Sequence, residues 1–187
     1  PFPFVAADDS FGFAAFEGGG FEIGPAANFQ GSRRRSEAGA PVDEVGTTIE
    51  LGGYAQYWLA KSLRLHTELR KGINGHKGLI GGVGLDYVAR DGDKWLVSVG
   101  PRITLSDAKY RRAYFEVTPA VAARTGLPVY RADGSAVQAL GISSTATWQF
   151  SRRWGLYSYA RYDRLVGDGA DSPLSRGPIG SRDQLSG

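Results

Sequence analysis

The stretch Leu63–Arg70 reads LRLHTELR, and its alternation has no exception: Leu63, Leu65, Thr67 and Leu69 interleave with Arg64, His66, Glu68 and Arg70. A period of two is that of a β-strand, whose successive side chains point to opposite faces. A sheet with leucine on one face and full charges on the other has two solutions. A water-soluble sandwich buries the leucines and wets the charges. A membrane barrel turns the leucines to lipid and encloses the charges. One strand does not choose between them.

The alternation recurs along the chain. Ile49, Leu51, Ala55, Tyr57 and Leu59 oppose Glu50, Gly52, Tyr54, Gln56 and Trp58. Trp95, Val97, Val99, Ile103 and Leu105 oppose Lys94, Ser98, Gly100, Arg102 and Thr104, and further repeats fall at 140–150 and 154–163. Helical periodicity is nearly absent, so the chain is all-β. Strands are predicted near 10–17, 20–31, 45–60, 63–72, 78–90, 94–106, 136–150 and 154–166, longer than the roughly five or six residues usual in globular sheets.

The connections decide the class. Short ones at Gly18–Gly19, Lys61–Ser62, Arg90–Asp93 and Ser151–Arg153 alternate with long ones at 32–44, 73–77, 107–135 and 167–181. Tight periplasmic turns and longer outer loops alternate in this way in an outer-membrane barrel. The predicted fold is therefore a small antiparallel transmembrane β-barrel. In the 107–135 excursion, Thr118 as N-cap, Pro119 at the first helical position and Gly126 as stop predict one short helix. The competing reading makes Tyr110–Val117 a strand. Pro25 and Pro101 each follow a glycine after an apolar alternation, and a proline forfeits a ladder hydrogen bond, so both predict a bulge or bend.

Composition removes several alternatives. No window approaches the ~18–20 uncharged apolar residues of a membrane helix, which leaves barrel strands of ~9–11 residues untouched. The absence of cysteine excludes disulfides and thiolate metal sites. A net charge of +3 is concentrated in one dense basic run, Ser32–Glu37, which reads as a solvated loop, so no nucleic-acid partner is expected. The chain opens at Pro1 without a leader segment, which predicts export by an N-terminal signal peptide not present here. Strand parity predicts about ten strands when complete, in a single barrel domain over 1–187 lacking its first and last strand.

Strand phase assigns Arg64, Arg70, Arg90, Arg102 and Arg161 to the interior, facing Glu22, Glu50, Glu68, Asp86 and Asp163, with His66 beside Glu68. A lumen this narrow is filled by side chains, and enclosed charges must be paired. An ionic network that plugs the barrel follows. Tyr87, Trp95, Trp148 and Trp154 fall near strand ends, as interfacial aromatics do. No catalytic residues, metal or cofactor are expected. A triad from His76, Asp171 and Ser172 has no support in spacing, and His76 reads as a loop residue. The run GDGADSP at 167–173 has the Gly and Asp of a calcium loop but not the spacing, and reads as turn chemistry.

From about Gly24 to its end the chain carries a likeness. VGPRITLSDAKYRRAYFEVTPAVAARTGLPVY (Val99–Tyr130) and WGLYSYARYDRLVGDGADSPLSRGPIGSRDQ (Trp154–Gln184) resemble the MipA/OmpV family of MltA-interacting outer-membrane proteins. The residues that carry the resemblance are Gly100, Pro101, Tyr114, Phe115, Gly126, Leu127 and Pro128, then Arg164, Leu165, Gly167, Asp168, Asp171, Ser172 and Pro173, followed by Gly180 and Ser181. GINGHKG at Gly72–Gly78 is similar to that family's turn. Glu116 and Gly169 depart from the family's usual Gly and Ala. The resemblance implies an outer-membrane barrel. For the founding members it also implies a non-catalytic scaffold joining a lytic transglycosylase to a murein synthase, while other members are porin-like or adhesive.

Overall fold

A computed structural model describes residues 4, 6, 8–31, 45–176 and 180–187. Its strands are β1 (Phe11–Gly12), β2 (Phe16–Gly18), β3 (Phe21–Gln30), β4 (Thr48–Ala60), β5 (Leu63–Gly72), β6 (Leu79–Asp91), β7 (Trp95–Ser106), β8 (Val137–Gln149), β9 (Gly155–Leu165) and β10 (Asp183–Ser186). They form one antiparallel, barrel-like sheet in which each strand from β3 onward pairs with the next, while β1 and β2 both pair with β3. The basic run 32–37 and the rest of the connection 32–44 lie outside the described residues.

Proline shapes two of the ladders. Between the pairs Gly12↔Ala26 and Phe16↔Ile23, the residues Phe13, Ala14 and Ala15 stand opposite Gly24 and Pro25. One extra residue on one strand is a β-bulge, so β1 and β2 are a single run broken opposite Pro25. The β6–β7 ladder lacks the two pairs between Gly84↔Arg102 and Tyr87↔Val99, where Leu85 and Asp86 stand opposite Pro101 and Gly100, but it keeps its register, so no bulge forms there and the predicted bulge is absent. Pro101 has no N–H to give at that level.

The loops hold more helix than the sequence predicts. The excursion after β7 contains α1 (Ala108–Phe115) as well as α2 (Pro119–Thr125), and the one after β9 contains α3 (Gly167–Asp171) and α4 (Pro173–Arg176). The expectation of one short helix is thereby corrected to four among the described residues, and Tyr110–Val117 is not a strand. Asp107 caps α1 by accepting from the Tyr110 N–H, a cue the alternating reading passes over. Thr118, Pro119 and Gly126 play their anticipated parts in α2, with Gly126 in the left-handed region at φ 72°. The run 167–173 forms α3 and the first residue of α4, broken by the extended Ser172 between them.

The two faces of the sheet could not differ more in chemistry. Leu65, Leu69, Val97, Val99, Ile103, Leu140 and Ile142 are exposed on one face, with Leu69 58% accessible, whereas Arg64 and Asp86 on the other are 1% accessible. The sheet is curled around its charged face: one cavity of about 810 Å³ is lined together by residues of β1, β3, β5, β6, β7, β9 and β10.

Candidate functional site

The enclosed face carries a chain of ion pairs running across the strands. Arg64 on β5 donates to Asp86 on β6 from Nε at 3.0 Å and from Nη2 at 2.7 Å. Arg102 on β7 reaches the other oxygen of Asp86 at 2.7 Å. Arg161 on β9 holds Asp163, two residues on along the same inward row, at 2.5 and 3.0 Å. Arg70 binds Glu50 at 2.9 Å and also pairs with Glu68. Glycines make room for these groups. A Cβ on Gly84 would stand 2.9 Å from Arg102 Nη1, and one on Gly141 would stand 2.2 Å from Asp163 Oδ1. The small residues of the inner rows are thus sockets for the large ones opposite.

A segment that is not part of the sheet completes the lattice. Asp8 accepts from Arg102 at 2.7 and 3.2 Å, from Ser143 at 3.0 Å and from Arg161 at 2.9 Å. Asp9 accepts from Arg64 at 2.8 and 3.2 Å. Phe4 lies under the Arg64 guanidinium, 4.6 Å from its carbon, and against Trp58. Phe4, Ala6 and Val88 form a small buried cluster at the tight-turn end.

Arg64, Arg70, Arg102, Arg161, Glu50, Glu68, Asp86 and Asp163 meet in the contacts just described; the other inward assignments fall as follows. Glu22 pairs with no arginine among the described residues: it accepts from the Tyr54 hydroxyl at 2.5 Å and the Gln56 amide at 2.7 Å. Arg90 is half-buried near the turn end of β6, beyond the stretch where Arg64, Asp86 and Arg102 meet. His66 stacks on Tyr54 at 5.9 Å, with Nε2 3.5 Å from Asp9 and 3.8 Å from Glu68. His76 lies in the loop between β5 and β6, as expected, but is buried there. Its Nδ1 accepts from the Gly78 N–H at 3.0 Å, which leaves the proton on Nε2 to reach Glu50 at 3.0 Å, and its ring meets Tyr110 at 4.7 Å. Asp8 and Asp9 are the members that strand phase could not supply, since they lie before the first alternating run.

Above the lattice, the two helical excursions lock onto each other. Asp168 receives Arg111 Nε at 3.0 Å and the Gly134 N–H at 2.7 Å, while Tyr130 donates to the Asp168 carbonyl at 3.1 Å. Ser172, fully buried, donates to the Phe115 carbonyl at 2.7 Å. Leu127, Tyr130 and Leu174 pack on Val117 and Val121. Asp171 pairs with Arg176 at the surface. Ser172, Asp171 and His76 therefore each serve a different structural contact and do not assemble as a triad. Arg112 beside Asp133 holds that carboxyl below the usual carboxylate range, and burial pushes the Tyr130 phenol up.

The motif residues have structural work of their own. A Cβ on Gly100 would lie 1.8 Å from the Leu85 carbonyl oxygen, and one on Gly180 would lie 2.0 Å from that of Leu174. Tyr114 packs on His76 and Tyr110, and Leu165 joins Phe115 in a buried cluster. Ser181 accepts from the Asp183 N–H at 3.0 Å, and Arg164 lies on the outer face 3.8 Å from Asp183. Pro128 is exposed after α2, Pro173 opens α4, and Gly167 opens α3 at φ 52°.

The family model described as MltA-interacting protein MipA matches residues 1–187. The chain belongs to the MipA family. No curated protein and no solved structure matches it. Glu116 and Gly169 are tolerated departures from the MipA pattern: Glu116 terminates α1, and a Cβ at Gly169 would make ordinary contacts of 3.4–3.6 Å with Phe115 and Leu165. The MipA family's description is that of an interaction protein. Among the described residues no group of three or more His, Cys, Asp or Glu side chains is arranged for a metal.

Proposed function

We propose that the chain is an outer-membrane β-barrel that acts as a non-catalytic interaction protein, holding murein-remodelling enzymes at the envelope. The observation that carries the membrane part is the inversion of the sheet's faces, with leucine, valine and isoleucine outside and paired charges within. Burying an arginine while exposing leucine is uphill in water, and downhill only where the outside is hydrocarbon. Dimensions agree. The outward row of β4 from Ile49 to Leu59 covers ten residue steps, or about 33 Å at about 3.3 Å each, and a tilt of about 40° reduces this to about 25 Å, the height of a lipid-facing band. At the tight-turn end, Trp95 pairs across the ladder with Trp148, and Trp154, Tyr87 and Phe150 are exposed beside them. Amphipathic rings favour the level where lipid meets water.

The interaction part rests on the family's description and on an interior crossed by ion pairs and by Asp8 and Asp9, which among the described residues leave no wide aqueous path. The natural partners on this reading are a lytic transglycosylase and, through it, a murein synthase. Full-length protein solubilised from outer membranes is expected to retain a purified lytic transglycosylase of the MltA type. No retention, in detergent or in vesicles, refutes the scaffold. The cavity of about 810 Å³ favours a second reading, a narrow solute channel; a steady ohmic conductance in planar bilayers is the result that would replace the first reading with this one.

A further inference from the structure

Asp8, Asp9 and Ser10 lie in no strand, yet their side chains touch β5, β7, β8 and β9. The polar contacts are those of a ligand in a site. Asp8 takes Arg102, Ser143 and Arg161; Asp9 takes Arg64; the Ser10 hydroxyl donates to Glu68 at 2.7 Å. Adjacent carboxylates thereby engage three guanidiniums.

The site is complete without this occupant. Each of the three arginines is also bonded to a carboxylate of the wall: Arg64 and Arg102 to Asp86, and Arg161 to Asp163. Withdrawal of residues 8 and 9 leaves no guanidinium orphaned, so it escapes the severe penalty of stranding a buried charge. Three arginines against the two wall carboxylates leave one positive charge in excess, whereas adding Asp8 and Asp9 turns the set to one negative. The stretch of wall under Asp8 and Asp9 therefore carries a local excess of positive charge, within an interior whose inward arginines and carboxylates are otherwise balanced. The space beside it, about 810 Å³ and lined by Asp8, Asp9, Arg102, Arg161, Tyr159 and Gly82, falls within the volume of small-ligand pockets.

We propose that the barrel interior is a binding site for a short acidic peptide with carboxylates on two adjacent residues, and that Asp8 and Asp9 occupy it as a tethered ligand which such a peptide displaces. A tethered group acts at an effective concentration on the order of millimolar. The unaltered protein therefore yields its site only to peptide near that concentration, and a chain lacking the two carboxylates yields it far more readily. This inference goes beyond the scaffold reading and needs no murein enzyme, so each fails separately.

The test uses the full chain in lipid vesicles and a fluorescent acetyl-Ala-Asp-Asp-Ser-amide probe, with the Asn-Asn analogue as control. The double variant D8N/D9N is expected to bind the acidic probe at least tenfold more tightly than the unaltered protein, with affinity falling as salt rises and no binding of the analogue. Equal binding by both proteins, or none by the variant, overturns the proposal. A second measurement covers misfolding of that variant. Since the sequence contains no cysteine, Ser10→Cys in the otherwise unaltered chain carries a nitroxide at one position. Its motion is expected to be restrained, and to be released by the acidic probe at millimolar concentration. A spectrum unchanged by the probe overturns the proposal independently.

Discussion

Replacing Arg64 by methionine removes a guanidinium that is 1% accessible while keeping most of the volume of its stem. In the structure that group satisfies Asp9 through two bonds and Asp86 through two more. Asp86 keeps Arg102 at 2.7 Å, but Asp9 loses its arginine and among the described residues keeps the Ala6 N–H within hydrogen-bonding distance, with His66 at 3.5 Å. Breaking a buried pair by removing one partner costs about 3–5 kcal/mol. With a urea slope of about 2 kcal/mol per M, the unfolding midpoint falls by about 2 M. The assay is equilibrium unfolding in detergent followed by tryptophan fluorescence. Arg112→Met is the internal control: its partner Asp133 is 40% accessible, so that change is expected to cost under about 1 kcal/mol. A cost for Arg64→Met no larger than the control's would mean that water reaches the interior arginines freely, and the enclosed ionic lattice would be refuted.

Three further outcomes follow from particular contacts. Ile142→Arg places a charge among exposed apolar residues between Pro101 and Tyr162, and is expected to cost about 2–4 kcal/mol in a bilayer; a negligible effect on folding into vesicles argues against lipid at that face. Gly100→Ala forces a Cβ to within 1.8 Å of the Leu85 carbonyl oxygen unless the backbone moves, so a loss of about 1–3 kcal/mol is expected from the same unfolding assay, and an unchanged midpoint contradicts it. Asp168→Ala removes the receiver of Arg111 and of the Gly134 N–H; limited proteolysis within 107–135 is expected to quicken about tenfold with the barrel core intact, and unchanged cleavage shows that the loops are held by other means.

The strands were legible because a two-faced, curled sheet writes its geometry locally. Each of β3 to β9 lies within a few residues of its alternating run, since every second residue suits an exposed apolar face and the rest an enclosed polar one. Partnership within the wall was partly legible for the same reason: strand phase put Arg64, Asp86 and Arg102 on one face, and antiparallel pairing put them side by side. What could not be read lies where contacts are distant and periodicity absent. Asp8 meets Arg161 across 153 positions, from a flank whose residues resemble any solvated turn. His76 sits among turn-forming glycines, and only its meeting with Glu50, 26 positions away, shows that it is buried. Helix α1 was masked because its aromatic and basic residues suit a strand as well as a helix, and its cap, Asp107, is an ordinary loop residue.

The most direct measurement is nitroxide scanning along β8, residues 139–147, with the protein refolded into lipid vesicles and single cysteines introduced in turn. Collisions with dissolved oxygen, which concentrates in hydrocarbon, are expected at positions 140, 142, 144 and 146, and silence toward both oxygen and a water-soluble nickel chelate at 141, 143 and 145. Contact with the nickel chelate at 140, 142 and 144 would put those residues in water, and the reading of the apolar face as a lipid surface would fall.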